Sequence, residues 1–231
     1  MPMSFTVALF SALVLVVAMI VIRGFRKAGW SSTITIAVLF IYLVIPALLA
    51  RSGALDRYSP PPPPALLLLL GQTILTVAII FSSRGTALAS NLALGAVVLL
   101  QSFRIAVELL LHRLYGEGVV PVQMTWSGRN LDIVTGITGL ILGVLLVRGR
   151  ILPRGVVLGW NVLGLVLLAN IVGVAALSTP VPFRVFTEGP PNLLPSTLPW
   201  IWLPSFLVQV ALGSHLLVFR MLRTRPEGLT P

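Results

Sequence analysis

The chain has 231 residues, of which 57% are hydrophobic and only 10% are charged. Soluble domains normally carry about 25% charged residues, so this composition excludes an ordinary globular protein. The sequence has no cysteine and only two histidines. This excludes disulfides, thiolate catalysis, cysteine-ligated metals and histidine-rich metal sites, and we expect no cofactor.

Seven apolar stretches dominate the sequence. A helix that crosses a membrane needs about 20 mostly apolar residues. The stretches that approach this length are 5–22, 32–50, 65–81, 87–111, 131–147, 155–177 and 200–221. They leave no room for a separate soluble domain. We therefore predict an all-α fold, a single domain over residues 1–231 that forms a bundle of seven transmembrane helices.

The basic residues predict the orientation of this bundle. If all seven stretches cross, one side receives Arg23, Arg26, Lys27, Arg84, Arg148, Arg150, Arg154, Arg220, Arg223 and Arg225. The other side has five arginines, accompanied by acidic residues. Because cytoplasmic loops carry an excess of Lys and Arg, we predict an external N-terminus and a cytoplasmic C-terminus.

The net charge of +10 does not indicate a nucleic-acid partner. The cations are dispersed at helix ends and do not form one binding surface, so the topology accounts for them. The first apolar stretch has no cation before it and is followed by RGFRKAG. This pattern predicts an uncleaved membrane anchor, because signal peptides carry their cations before the apolar core.

The fourth stretch carries the most informative polar residues. In QSFRIAVELLLHRLYGEG, the residues Gln101, Arg104, Glu108 and His112 fall within about 80° of one helix face, and we name them the polar stripe. A charged side chain near the centre of a membrane helix costs about 2.5–3.5 kcal/mol, so the stripe should face the bundle interior. The spacing of four residues would allow Arg104 to pair with Glu108, and Glu108 with His112.

A second polar cluster, TWSGRNLD, precedes the fifth stretch. Arg129, Asn130 and Asp132 would extend the polar stripe onto the next helix, because the predicted topology places this helix start near the level of His112. Asp132 would also lie in the first helical turn, where a carboxylate suits the helix dipole. Further polar residues of the same half of the bundle are Gln72 and Asn170.

Glycine pairs and long loops complete the pattern. Gly139 with Gly143, and Gly155 with Gly159, form GxxxG motifs that allow helices to approach closely. The second loop contains five consecutive prolines and predicts a rigid spacer or a docking segment. The sixth loop, rich in proline and aromatic residues, predicts either an interfacial loop or a lid.

Several seven-helix classes are excluded. Retinal proteins need a lysine in the last helix, but the only lysine is Lys27, in a loop. Ceramidase-type hydrolases hold zinc with three histidines, and this chain has two. Small seven-helix sugar transporters have the same size, but their triple-helix repeat is absent. His215 is predicted to be a buried, hydrogen-bonded histidine, too far from His112 to share a metal or haem.

Two segments resemble a group of bacterial multi-pass membrane proteins of unassigned function. They are FRIAVELLLHRLYGEGVVPVQMTWSGRNLDIVTGITG (103–139) and PWIWLPSFLVQVALGSHLL (199–217). The group has a span with Arg and Glu, a segment EG-x-x-P-x-Q-M-T-x-x-G-R-N-x-D-I-x-T-G-I-T, and a final W-x-P helix with His. The resemblance covers about a quarter of the chain. It implies a bacterial inner-membrane location but no activity.

These observations support one leading function and two alternatives. We predict that the protein binds or transports a small polar or amphipathic molecule in a polar pocket open to the outside. The predicted pocket residues are Gln101, Arg104, Glu108, His112, Arg129, Asn130 and Asp132. Glu108 would carry a proton, Arg104 bind an anion and His112 titrate. The alternatives are an accessory subunit in which these residues join helices, and a membrane-embedded enzyme that uses Glu108 and His112. The expected partners are the lipid bilayer and a small-molecule or lipid ligand.

Overall fold

The structure is a computed structural model that describes residues 3–224. It contains eight helices and, over this range, no strand, which confirms the all-α prediction. They are α1 (Met3–Lys27), α2 (Ser32–Arg51), α3 (Pro64–Phe81), α4 (Ser83–Asn91), α5 (Leu94–Gly116), α6 (Asp132–Val147), α7 (Arg154–Leu177) and α8 (Leu203–Thr224). Short 3-10 turns lie at Val122–Met124 and Leu194–Ser196.

Six of these helices are long and apolar enough to cross a membrane, namely α1, α2, α3, α5, α7 and α8. Helix α6 is apolar but has only 16 residues. The chain is therefore a multi-pass membrane protein by helix length and composition.

The fourth span begins later than predicted. Residues 83–91 form the separate helix α4, and α5 starts only at Leu94. The Ser82 hydroxyl caps α4 by accepting hydrogen bonds from the backbone N–H groups of Arg84 and Gly85. The backbone is extended at Leu92 and Ala93, so the two helices cannot be continuous. Because of the cap at Ser82 and the extended residues before Leu94, the predicted helix over 87–111 is instead a short polar helix followed by the apolar span.

Three long helices depart locally from α-helical geometry. Helices α2 and α8 contain π turns at Phe40–Val44 and Leu203–Leu207, and these two turns contact each other. Helix α5 has a tight turn between Leu100 and Phe103. In an apolar environment the carbonyl groups of such turns need other donors. The Trp202 indole supplies one, since its N–H donates to the Leu43 carbonyl at 2.8 Å.

Helices α5 and α6 cross in backbone contact because α6 presents glycines to α5. A Cβ atom at Gly143 would lie 2.5 Å from Leu99 Cα, and one at Gly136 would lie 2.9 Å from the Ile105 nitrogen. Side chains larger than hydrogen do not fit there. A Cβ atom at Gly159 would meet nothing within 4 Å, so the predicted second GxxxG motif is not a packing site.

The same contacts define the course of α6. A Cβ atom at Gly95, in the first turn of α5, would lie 2.9 Å from Leu146, near the end of α6. Gly136, in the second turn of α6, lies against Ile105, halfway along α5. Helix α6 therefore runs antiparallel to α5 and covers only its first half. The segment 117–131 lies against the second half.

Two buried apolar clusters divide the bundle along its length. The first includes Phe10, Leu111, Met124 and Trp200. The second joins residues from six helices and the α1–α2 loop, among them Trp30, Leu94, Leu146, Val157 and Leu222. Ten cations are predicted to share one side of the membrane, and nine of them are close in sequence to residues of this second cluster. One of them, Arg84, lies over the Trp30 ring, 5.3 Å from its centre. We call this end of the bundle the basic end. The tenth cation, Arg225, lies outside the described residues.

The α5–α6 crossing makes a direct prediction for stability. We expect Gly143→Ala to lower the free energy of unfolding by about 1–3 kcal/mol, because the methyl group overlaps the Leu99 backbone. Gly159→Ala is the matched control and should be neutral or stabilising, since it adds a methyl group in open space. Denaturant unfolding in detergent micelles measures both. Equal stability of the two variants would contradict the packing.

Candidate functional site

Arg104 is the centre of a buried polar cluster. It lies in the middle of α5 and is 2% exposed. Its guanidinium binds both carboxylate oxygens of Asp132, the first residue of α6, with an Nε to Oδ2 distance of 2.6 Å. Nη2 also donates to the Gly164 carbonyl at 3.4 Å. The planar guanidinium suits this two-point geometry, which fixes the angle as well as the distance between the helices.

His215 and Asn161 complete one side of the cluster. Arg104 Nη1 lies 2.9 Å from His215 Nε2, and His215 Nδ1 lies 2.8 Å from Asn161 Oδ1. An arginine can only donate, so Nε2 accepts and the imidazole is neutral with its proton on Nδ1. That proton is donated to Asn161, while the Asn161 amide donates to the His215 carbonyl at 3.1 Å. Arginine, carboxylate and imidazole thus satisfy one another across α5, α6, α7 and α8.

Glu108 lies one turn beyond Arg104 and is 1% exposed. Its Oε2 accepts a hydrogen bond of 2.6 Å from the Asn130 side-chain amide. Asn130 also donates to the Met124 carbonyl and accepts from the Asp132 backbone N–H, at 3.0 Å in each case. Within residues 3–224, Glu108 Oε1 has no hydrogen-bond partner and neither oxygen forms a salt bridge. Glu108 is therefore only half satisfied.

The charges of this cluster do not balance when both carboxylates are ionised. Arg104 is its one cation, and it is bound to Asp132. Glu108 then leaves one uncompensated negative charge, which a proton or a positively charged group would neutralise. A buried charge without a partner is costly, so Glu108 is the group in this cluster that is available to a ligand.

The irregular segment 117–131 holds Asn130 in place. The Thr125 carbonyl accepts from the backbone N–H groups of Gly128 and Asn130 at 2.9 and 3.2 Å, and the Asn170 side chain donates to the Arg129 carbonyl at 2.7 Å. A Cβ atom at Gly128 would lie 2.3 Å from the Val122 carbonyl oxygen, so this turn requires glycine. The predicted cluster TWSGRNLD is thus a compact turn that directs Asn130 to Glu108.

The structure joins four of the seven predicted site residues in one network: Arg104, Glu108, Asn130 and Asp132. Gln101 lies beside them and donates to the Ala211 carbonyl at 3.0 Å. The two ion pairs expected along α5 are absent from the contacts of the described residues. Arg104 binds Asp132 instead of Glu108, because a facing carboxylate at a helix start can meet the guanidinium with both oxygens.

His112 and Arg129 lie apart from this network. The His112 ring stacks on Trp126 with centroids 4.1 Å apart, and its Nδ1 atom is buried without a hydrogen-bond partner in the described range. Arg129 is exposed, and its guanidinium lies 5.4 Å from the centre of the Phe186 ring. Neither lines the cavity described below. Residues 3–224 contain no group of three His, Asp or Glu side chains arranged to hold a metal ion.

His215 and Asn161 belong to the cluster although the sequence did not predict them as site residues. His215 is buried and hydrogen bonded, as predicted. Helix α8 starts at Leu203, not at residue 200, so His215 lies close to the middle of the helix. Asn161, one of two side-chain amides in the otherwise apolar α7, was the available signal for a partner.

A cavity of about 140 Å³ adjoins the cluster. Arg104, Glu108 and Asp132 form its polar floor, and most of the other lining residues are apolar side chains of α3, α5, α7 and α8. A single water molecule needs about 10–15 Å³ measured in this way, so the cavity has room for a small molecule. Its lining differs from the polar pocket that was predicted, because apolar side chains make up most of the wall.

Two loops meet at the end of the cavity that is distant from the floor. The Tyr58 hydroxyl, in the second loop, lies 2.7 Å from the Ser196 hydroxyl, in the sixth. Burial raises the pKa of the Tyr58 phenol above its usual value, so this group stays neutral. Tyr58, Thr179 and Asn192 line the cavity here. The second and sixth loops therefore line this end of the cavity.

Comparison with known proteins identifies the family. Residues 61–223, more than two thirds of the chain, match the family described as Domain of unknown function (DUF8737), and the chain belongs to it. This confirms the prediction of a family without an assigned function. The match includes every residue of the cluster. Neither the curated proteins nor the solved structures include a match.

The cluster predicts unequal costs for removing charges. We expect Arg104→Met to destabilise the protein by about 3–5 kcal/mol, because it leaves the Asp132 carboxylate buried without a cation. Arg104→Met combined with Asp132→Leu should recover part of this loss. Arg148→Gln, an exposed control, should change stability by less than about 0.5 kcal/mol. Unfolding in detergent gives the three values, and an Arg104→Met variant as stable as the control would refute the pairing.

Proposed function

We propose that this member of the DUF8737 family binds a small amphipathic molecule in the cavity above Arg104, Glu108 and Asp132. The apolar part of the ligand would lie against the cavity wall. Its polar group would donate a hydrogen bond to Glu108 Oε1. The observation that carries this proposal is that Oε1 of the buried Glu108, on the floor of a largely apolar cavity, has no hydrogen-bond partner within residues 3–224.

The buried polar cluster then has two parts with different roles. Arg104, Asp132, His215 and Asn161 satisfy one another, so they join helices and need no ligand. This part corresponds to the structural alternative. Glu108 is held by one amide and has a free oxygen, which supports a binding role. A purely structural stripe would pair Glu108 as completely as it pairs Arg104.

The charge of the cluster supports a preference among ligands. An ammonium group neutralises the negative charge of ionised Glu108, and a hydroxyl group satisfies its free oxygen. A carboxylate ligand would instead add a like charge in a site that is shielded from water. Amphipathic amines and alcohols therefore fit the cavity better than fatty acids do.

We also propose that the chain crosses the membrane seven times, with the N-terminus outside, in a bacterial inner membrane. Helix α6 alone is about 24 Å long, shorter than the hydrocarbon layer of about 30 Å. The segment 117–131, against the other half of α5, would complete this crossing. Irregular backbone is tolerated at that depth when it is buried in protein, and the hydrogen bonds around Thr125 and Asn130 meet that condition.

Glu108→Gln tests the binding proposal. Native mass spectrometry of the gently extracted protein, titrated with decylamine, decanol or decanoate, measures binding. Of the three compounds, we expect decylamine to bind the unmodified protein most tightly. Its affinity for Glu108→Gln should be at least about tenfold lower, because the amide removes the negative charge. Val172→Phe should weaken decylamine and decanol alike, since Val172 lines the cavity. Val166→Phe is its control, on the exposed face of the same helix.

Stability measurements separate the proposal from its structural alternative. Loss of decylamine binding in a Glu108→Gln variant of normal stability supports the binding site. No adduct in either protein, together with a marked loss of stability in the variant, would establish a purely structural role. Equal binding of decanoate and decylamine would contradict the assigned preference.

Single cysteines test the topology, because the natural chain has none. We expect a membrane-impermeant maleimide to label Arg57→Cys in intact cells, and Arg150→Cys only after the membrane is opened. The two positions lie in loops on opposite sides of a seven-crossing chain. Labelling of both in intact cells would contradict the proposed topology.

A further inference from the structure

A second and larger cavity lies at the basic end of the bundle. It has a volume of about 440 Å³ and is lined by residues of α1, α2, α3, α4, α5 and α8. Helix α8 separates it from the first cavity. Leu207 and Ala211 line the first, while Val210 and Gly213 line the second. We call the second cavity the basic crevice.

Two cations stand at the rim of the basic crevice. Arg23 and Lys27 line it, are exposed, and have no hydrogen-bond or ion-pair partner in the described part of the chain. They are four residues apart on α1, which places them one turn apart on the same face. None of the five acidic residues between positions 3 and 224 lines the crevice. The crevice is therefore positively charged, and no acidic residue that lines it neutralises this charge.

The walls of the crevice are apolar and partly open to the surroundings. Ile20, beside the cations, is 43% exposed, and Ala93 and Ala96 on the facing segment are also exposed. Larger apolar side chains such as Val97 and Leu100 form the deeper wall. In a membrane this opening would face the acyl chains. The crevice would then offer an apolar wall to an acyl chain and positive charge at its rim to a headgroup.

The polar groups deep in the crevice bind one another. The Tyr42 hydroxyl lies 2.9 Å from the Thr76 hydroxyl, and Thr76 donates to Gln209 Oε1 at 3.0 Å. The Gln209 amide donates to Thr73 at 3.3 Å. These groups need no partner from a ligand. The binding capacity of the crevice thus rests mainly on its apolar wall and the two cations at its rim.

We propose that the basic crevice binds an anionic membrane phospholipid. The phosphate group would lie between Arg23 and Lys27, at the end of α1 where the headgroup layer begins, and one acyl chain would lie along Ile20 and Ala96. Basic pockets between membrane helices on the cytoplasmic side suit anionic headgroups, and the predicted orientation places the basic end there. This inference is independent of the Glu108 site, which lies on the other face of α8.

Native mass spectrometry of the full-length protein, with phosphatidylglycerol or phosphatidylcholine added to neutral detergent, tests the inference. We expect Arg23→Gln combined with Lys27→Gln to weaken phosphatidylglycerol binding about 30-fold, since each cation near an anionic headgroup contributes about a factor of five. Phosphatidylcholine binding should change little. The control is Arg148→Gln with Arg150→Gln, which removes the same charge from the same end but outside the crevice.

A second variant tests the apolar part of the site. Ala96→Phe fills the crevice without changing charge and should weaken phosphatidylglycerol binding at least about tenfold. Val166→Phe should have no effect. Equal losses in the two charge-removing pairs would show that net charge alone attracts the lipid and would overturn the proposal. So would normal lipid binding by a stably folded Ala96→Phe variant, or competition by inorganic phosphate as effective as that of the lipid.

Discussion

The buried ion pair between Arg104 and Asp132 determines the arrangement on which the rest of the bundle depends. An arginine in the middle of an apolar helix is stable only if a partner reaches it, and the partner here is the first residue of α6. Helix α6 must therefore begin halfway along α5, and its glycines allow the two backbones to touch. The chain before it, 117–131, has to fold against the other half of α5. This places the Asn130 side-chain amide within hydrogen-bond distance of Glu108.

Helix α8 gives the two cavities a common wall. The cavity at Glu108 extends to Tyr58 in the second loop, whereas the basic crevice lies at the opposite end of the bundle. His215 binds Arg104 from α8, so the same helix that separates the cavities is attached to the ion pair. Helix α8 also begins with a π turn, a feature frequent at functional sites.

The sequence predicts the helical bundle well because apolar length is a strong signal. It also indicates that Arg104 and Glu108 face inward, since their cost in lipid is high. It does not reveal which residues bind Arg104 and Glu108, because the spacing of residues along one helix carries no information about the side chains of the helices that face it. The Arg104–Glu108 pair suggested by four-residue spacing gives way to Asp132 and Asn130, supplied by the next segment. The cap at Ser82 and the extended residues before Leu94 similarly divide one apolar stretch into two helices.

The most direct test of the account is a crystal structure of the protein grown from a lipid phase. The account predicts elongated density in the cavity, with a polar end within hydrogen-bond distance of Glu108 Oε1 and with Arg104 bound to Asp132. A cavity that has closed so that another group of the protein binds Glu108 Oε1 would contradict it. In that arrangement Glu108 has no oxygen free for a ligand, and the polar cluster serves only to join helices.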